Sequence, residues 1–335
     1  MIKPEGQQIE ALKRIEAWAD KPNKQEFTLG GFAGTGKTSL IPQIRDMLHF
    51  NSAVVTYTNK AASVLREKGI EDATTIYKLM YQLIDEDNMI WRRKDELEVS
   101  VVIVDEASML GQNIRDDLES YGVPVLYVGD PFQLPPVNEA SVMDHCDFTL
   151  TEVRRHGGKV LEIATAIREG RSYPDVDQYD LSDSDLSSAD IVICYTNARR
   201  MSLNQRIRKH RGFIGLPQKG DRMLSVKTNY DWGIFAGELG TYVGGNGSRR
   251  FEILFDGWAD TVVFTNGYLM QANDNAYSQD LRGRACLDFG YVTTAHKAQG
   301  SSFDKVIVWE ESRSDARWKY TAATRAVTDV TMASK

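Results

Sequence analysis

The sequence predicts an α/β protein whose strands lie in parallel sheets. Three segments carry that prediction: a glycine-rich loop between a strand and a helix, a β-branched run ending in two carboxylates, and an apolar strand that runs into a proline-rich turn. The first, Gly31-Phe-Ala-Gly34-Thr35-Gly36-Lys37-Thr38, fits G-x-x-x-x-G-K-[ST] at every fixed position. Such a loop turns its N–H groups toward phosphates, so Gly31, Gly34, Thr35 and Gly36 are cradle candidates. Lys37 can reach the β- and γ-phosphates, and the Thr38 hydroxyl can ligate Mg2+. The flanks agree: residues 25–29 read as a short buried strand and residues 39–48 as a helix. Pro42 interrupts that helix and is tolerable only near its first turn, where a missing N–H costs little. A nucleoside triphosphate, taken as ATP with Mg2+, is the expected ligand.

The second segment, Val99-Ser-Val-Val-Ile-Val-Asp105-Glu106, suits a central strand buried on both faces. At its carboxyl end Asp105 would face the Mg2+ held by Thr38, and Glu106 could polarise a water for in-line attack on the γ-phosphate. Taken alone the segment is equally a strand with a solvated acidic turn, and the phosphate loop tips the choice. In the third, residues 123–128 lead into Gly129-Asp-Pro-Phe-Gln133-Leu-Pro135-Pro136. Ligands of an open α/β sheet gather beyond the carboxyl ends of its strands. Gln133 can therefore hydrogen-bond a γ-phosphate and sense its loss, while Pro135 and Pro136 stiffen whatever it moves.

Bulk properties narrow the class without choosing a function. The 335 residues allow roughly two domains, and the apolar and charged fractions are those of a globular protein. No apolar run is long enough to span a bilayer, and the first residues begin no secretory signal, so an intracellular, cytoplasmic protein with no membrane partner is expected. Cys146, Cys194 and Cys286 stand far apart with no CxxC pair, which points away from a disulfide framework or a zinc site. A net charge of −7 neither requires nor excludes nucleic acid, because a local basic groove suffices to bind it.

Six motifs then form an ordered set: Gly31 to Thr38, Thr56-Tyr-Thr-Asn-Lys-Ala-Ala62, Asp105-Glu-Ala-Ser108, Gly129 to Pro136, Thr294-Ala-His-Lys-Ala-Gln-Gly300 and Tyr320-Thr-Ala-Ala-Thr-Arg-Ala326. Their order and spacing resemble those of superfamily 1 helicases, and the chain resembles the RecD/Dda branch from Gln7 to Ala326. The resemblance implies two RecA-like P-loop domains with parallel sheets that clamp ATP between them and single-stranded DNA across them. It divides the chain into a first RecA-like domain (1–77 plus 99–150) with a β-hairpin insertion (78–98), and a second (151–211 plus 286–335) with an SH3-like β-barrel insertion (212–285). The implied activity is that of a monomeric, ATP-dependent DNA helicase moving 5′ to 3′ on single-stranded DNA and opening forks. The rivals are a superfamily 1 RNA helicase, a nucleoprotein-remodelling translocase and, more remotely, a P-loop kinase, which would leave residues 294–300 and 320–326 without a purpose.

Carried over by residue, the resemblance makes Gln7 the adenine reader, with Gln8 as the second choice. It makes Arg155, or its neighbour Arg154, and Arg325 the arginines that stabilise the transferred phosphoryl, and it brings Gly300, with Gln299, toward the γ-phosphate. For DNA it points to Thr58, Asn59, Lys60, Thr75, Pro135 and Pro136 in the first domain, and to Thr196, Asn197, Thr294 and His296 in the second. Most are short polar donors suited to phosphates and sugars, so sequence-independent binding is expected. Lys297 could contact DNA or hold its loop.

Two insertions interrupt the pattern. Residues 79–93 place apolar arms around an acidic turn and read as a β-hairpin. In this family a hairpin there is the strand-separating pin, with Trp91, or Tyr81 on the opposite arm, stacking on a base at the fork. Equally, Trp91 could pack the hairpin onto the core. Residues 212–285 alternate in short runs that suggest a small barrel, which should hold the strand rather than carry chemistry. The acidic, Ser-rich stretch 174–190 reads as a solvated loop or poor helix.

Overall fold

The computed structural model describes residues 3–20, 24–48, 51–85, 90–136, 139–154, 158–229, 234, 236–271, 274, 278–281 and 283–335. Arg155 lies outside them. The chain forms two compact units, Met1–Gly157 and Gly158–Lys335. Among the described residues, no helix is long and apolar enough to cross a membrane.

The first unit comprises α1 (Gln7–Ala19), β1 (Glu26–Gly31), α2 (Lys37–Leu48), β2 (Ser52–Thr56), α3 (Asn59–Glu67), β3 (Thr74–Thr75), α4 (Ile76–Met80), β4 (Tyr81–Asp85), β5 (Ile90–Arg93), β6 (Val101–Asp105), α5 (Gln112–Glu119), β7 (Val125–Gly129) and β8 (Phe148–Leu150). Six strands make an all-parallel sheet in the order β3-β2-β6-β7-β1-β8. Period-2 geometry explains the unbroken apolar runs. In β6, Val101 and Ile103 join one core with Ile15 of α1 and Leu40, Ile41 and Ile44 of α2, while Val102 and Val104 join another with Ile76, Met80 and Leu118. A strand covered on both faces can spare neither side for polar residues. Register then aligns the carboxyl ends, with Thr56 beside Asp105, Val104 beside Tyr127 and Gly30 beside Gly129. The four loops that leave these ends therefore start from one edge.

Two local expectations are corrected here. Pro42 sits well inside α2, which begins at Lys37. Its ring removes the bond to the Thr38 carbonyl, at a cost of ~3 kcal/mol. The helix persists because Leu40, Ile41, Ile44 and Leu48 are buried. Leu79 and Met80 also belong to α4 rather than to a hairpin arm, because the Thr75 hydroxyl accepts from Lys78 N and nucleates a helical turn. The antiparallel pair starts one residue later, with Tyr81 opposite Arg93 and Leu83 opposite Trp91. Tyr81 thus stands at the root of the pair, and its hydroxyl donates to Asp117 of α5 at 2.5 Å. Arg93 lies over the Tyr121 ring, and the Tyr121 hydroxyl donates to the Met80 and Lys94 carbonyls.

The second unit comprises α6 (Lys159–Arg168), β9 (Val176–Asp177), α7 (Asp183–Ser188), β10 (Ile191–Cys194), α8 (Asn197–His210), β11 (Arg222–Ser225), β12 (Leu239–Gly245), β13 (Phe251–Phe255), β14 (Val262–Phe264), β15 (Gly267–Leu269), β16 (Ala285–Phe289), β17 (Val292–Thr294), α9 (Ala295–Ala298), β18 (Phe303–Trp309), α10 (Ala316–Ala323) and β19 (Ala326–Ser334). A parallel sheet runs β17-β10-β18-β19-β9. The stretch 174–190 is more ordered than its composition suggests. β9 pairs with β19, and α7 is closed by a capping box between Ser182 and Asp185 and pinned by buried Leu186.

The remaining six strands form a separate sheet, β14-β13-β12-β11-β16-β15, antiparallel except between β15 and β16. Phe251, Ile253, Phe255 and Phe264 fill its core. Because β16 runs to Phe289, this sheet extends beyond residue 285. A buried knot ties it to α8: Asp221 accepts two bonds from Arg208, at 3.0 and 2.9 Å, and one from the Tyr291 hydroxyl at 3.0 Å.

A candidate nucleotide site on the first unit

The loop between β1 and α2 owes its shape to contacts that only glycine permits. A Cβ on Gly31 would lie 2.7 Å from Thr35 Oγ1 and 2.8 Å from Lys37 Cγ. Gly36 has φ +84°, and a Cβ there would meet Gln8 Nε2 at 2.7 Å. That nitrogen donates to the Thr35 carbonyl at 3.0 Å, so buried Gln8 buttresses the loop from α1. Thr35 closes the turn by donating to the Phe32 carbonyl at 2.8 Å. The Lys37 ammonium donates to the carbonyls of Gly31 (2.6 Å) and Phe32 (3.2 Å), and Asp130 Oδ2 lies 3.9 Å away. A cation is thereby held against the carbonyls of the loop and beside the Asp130 carboxylate.

At the first turn of α2 the Thr38 hydroxyl donates to Asp105, the last residue of β6. Burial, and next to it the neighbouring Glu106 charge, push the Asp105 carboxyl up to about 7; Lys37 and the Thr38 bond act against this. Glu106 has φ 54° and ψ 38° and is the only non-glycine residue with positive φ among those described. Left-handed backbone costs a non-glycine residue ~1–2 kcal/mol and concentrates at functional sites. Beyond β7, Asp130 accepts from Phe132 N at 3.0 Å. Gln133 is buried, and its Oε1 has no hydrogen-bond partner among the described residues. Such an acceptor is costly unless a ligand or water meets it.

Gln7 lies at the end of β8. Its Oε1 accepts from the backbone N–H of Thr151 (2.7 Å) and Glu152 (3.0 Å), and its Nε2 donates to Thr151 Oγ1. Arg154 donates to Glu5 and Glu152, and its backbone N–H bonds the Gly34 carbonyl at 2.8 Å. Beyond β2, Thr58 caps α3 by accepting from Ala61 N, which puts Asn59 and Lys60 on the first helical turn. Thr75 caps α4, and Pro135 and Pro136 follow Gln133 half-buried. Trp91 lies on β5.

The second unit repeats the capped strand end. The Thr196 hydroxyl accepts from Arg199 N and donates to Glu311, whose other oxygen accepts the Tyr195 and Thr196 N–H groups. Asn197 accepts from Arg200. Thr294 precedes α9, His296 is exposed on that helix, and Gly300 follows with φ 73°. Arg325 is buried, donating to the carbonyls of Thr321 (3.1 Å) and Ser301 (3.3 Å). Gln8 was weighed from the sequence only for the adenine, not as the buttress of the loop, and two contributors were not singled out at all: Asp130 and Glu311. Asp130 sat in a quoted motif, whereas nothing local marks Glu311, which acts on a loop more than a hundred residues away.

A family model described as an AAA domain matches residues 6–184, and one described as a UvrD-like helicase C-terminal domain matches residues 289–333. The chain is 29% identical over 175 residues to the ATP-dependent DNA helicase Dda of Enterobacteria phage T4, covering 46% of this chain and 40% of that protein. It is 26% identical over 343 residues to the ATP-dependent RecD2 DNA helicase of Deinococcus radiodurans, covering 89% and 45% respectively. The chain thus spans less than half the length of these curated relatives. Among solved structures, the Bacteroides Pif1 helicase in complex with ADP-AlF3 and single-stranded DNA aligns with a TM-score of 0.65 and 19% identity, over 99% of this chain and 92% of that one. That likeness is one of fold, an α/β architecture of two parallel-sheet, RecA-like units. With the AAA-domain match alone covering more than half of its residues, the chain belongs to that family, in the superfamily 1 branch of RecD and Dda.

Proposed function

We propose that the chain is an ATP-dependent DNA helicase that moves 5′ to 3′ on single-stranded DNA and opens forked duplex. The observation that carries this reading is the convergence of Lys37, Thr38, Asp105, Glu106, Asp130 and Gln133 at one edge of a parallel sheet. The names of Dda and RecD2 as ATP-dependent DNA helicases support it.

The donor set fits Mg2+-ATP. The Thr38 hydroxyl and the Asp105 carboxylate are hard oxygen ligands already in contact, and a buried carboxyl pushed up to about 7 is one that a divalent cation would stabilise as the anion. Bound with ATP, Mg2+ would neutralise charge on the phosphates. Lys37 exchanges the Gly31 and Phe32 carbonyls for phosphate oxygens, and the N–H groups from Gly34 to Thr38 cradle the rest. Glu106 orients a water and takes its proton, while Gln133 accepts from that water through Oε1 and senses the γ-phosphate by donating from Nε2. Gln7 faces the adenine, Gln8 being committed to the loop. Arg155, Arg325 and Gly300 are assigned to the phosphoryl group in flight.

For DNA, the capped turns at Thr58–Lys60, Thr75 and Thr196–Asn197, with Thr294, His296, Pro135 and Pro136, supply sequence-independent contacts. The β4–β5 pair is read as the pin with Trp91 near its working end, and the β11–β16 sheet as an SH3-like insertion that holds the strand. The division into 1–77 plus 99–150, 78–98, 151–211 plus 286–335, and 212–285, with the last boundary carried on to the end of β16 at Phe289, and a monomeric state, belong to the same proposal. ATP hydrolysis measured with and without single-stranded DNA or RNA tests it, and forks with only a 5′ or only a 3′ tail test polarity. Hydrolysis indifferent to both nucleic acids would sink the reading.

A further inference from the structure

The first unit contains a row of three tyrosines that the nucleotide site does not use. Tyr57 follows β2 and precedes the Thr58 cap, Tyr77 is the second residue of α4, and Tyr81 opens β4. Their rings form a chain: Tyr57 meets Tyr77 edge-on at 6.2 Å between centroids, and Tyr77 meets Tyr81 at 6.0 Å with the planes tilted. The outer two pack on the core that contains Ile76 and Met80, and Tyr81 is fixed further by its bond to Asp117. The middle ring, Tyr77, stays 40% exposed. Three lysines lie on the same segments: Lys60 on the first turn of α3, three residues after Tyr57, Lys78 next in sequence to Tyr77, and Lys94, whose Nζ donates to the Lys78 carbonyl at 3.3 Å.

We propose that Tyr77 is a stacking platform for a base of single-stranded DNA, with Tyr57 and Tyr81 as its supports. This rests on the nucleic-acid reading above and deepens it, since the polar contacts assigned to this unit away from the pin grip backbone. An exposed ring braced by aromatics on both sides is preorganised, so a base that covers it removes apolar surface from water without freezing a mobile side chain. Stacking suits any base, which agrees with sequence-independent binding. The lysines draw the phosphates toward the same place. Thr75 contributes indirectly, because its cap sets where α4 begins and hence where Tyr77 emerges.

The experiment uses the full chain and two labelled oligonucleotides, oligo-dT and the same length of abasic backbone, with affinity read by fluorescence anisotropy. Tyr77→Ala should weaken oligo-dT binding about tenfold and leave abasic binding alike in variant and parent, and Tyr77→Phe should stay within about twofold of the parent. In Tyr77→Trp, oligo-dT should quench the added indole fluorescence and the abasic strand should not. Equal losses on both strands in the Ala variant, or no quenching difference in the Trp variant, would overturn the proposal. A parent chain that binds neither strand would instead overturn the helicase reading itself.

Discussion

Glu106 offers a test that separates backbone strain from catalysis. Its αL conformation carries a penalty of ~1–2 kcal/mol, and its charge lies beside buried Asp105. Asn adopts αL more readily than Glu or Gln, so Glu106→Asn relieves both burdens, while Glu106→Gln relieves only the charge. The difference between the two variants isolates the backbone term, about 1 kcal/mol, equivalent to about 2–4 °C for a unit the size of Met1–Gly157. Scanning calorimetry of the nucleotide-free protein should find Glu106→Asn melting that much above Glu106→Gln. Both variants should lose about 10²–10⁴-fold in DNA-stimulated ATP turnover, the usual worth of a general base. An Asn variant that melts at or below the Gln variant would refute the strain argument. Turnover that survives in both would refute the assignment of Glu106 as the base.

Three further outcomes follow from the same geometry. The folded-state pKa of Asp105, about 7, lies above the ordinary value of about 4, so the folded protein binds the extra proton. The contribution of this group to stability is therefore greatest below about pH 4 and falls as pH rises toward 7; Asp105→Asn should flatten that part of the pH–stability curve of the nucleotide-free protein, and an unchanged slope would contradict it. Trp91→Ala should impair fork opening more than DNA-stimulated hydrolysis, whereas equal losses would assign the ring to packing. Asp221→Ala strands the buried Arg208 guanidinium and should cost about 3–5 kcal/mol in urea unfolding, against under about 1 kcal/mol for Asp256→Ala, whose partner Arg222 is more exposed; similar costs would mean that the buried knot contributes no more than a surface pair.

The sequence was most legible where one physical constraint acts within a few residues. The phosphate loop could be read because Gly31 and Gly36 answer contacts within the loop or with the helix beneath it. β6 could be read because burial on both faces erases alternation. Legibility failed where distant packing outweighed a local penalty, as when the core under α2 holds Pro42 in mid-helix, or when pairing with β19 orders β9 inside an acidic, Ser-rich stretch. Gln7 and Gln8 make the limit concrete. They are chemically identical and adjacent, and composition cannot rank them. On a helix, neighbours point about 100° apart. That rotation sends Gln8 under the loop to hold Thr35 and leaves Gln7 at the end of β8, its carboxamide oriented by the N–H groups of Thr151 and Glu152. The choice between them depends on the azimuth of α1 against the sheet, which is fixed by buried Ala11, Ile15 and Trp18. The resemblance ranks Gln7 first and Gln8 second for the adenine, and the way the helix packs supports that order, because it commits Gln8 to the loop.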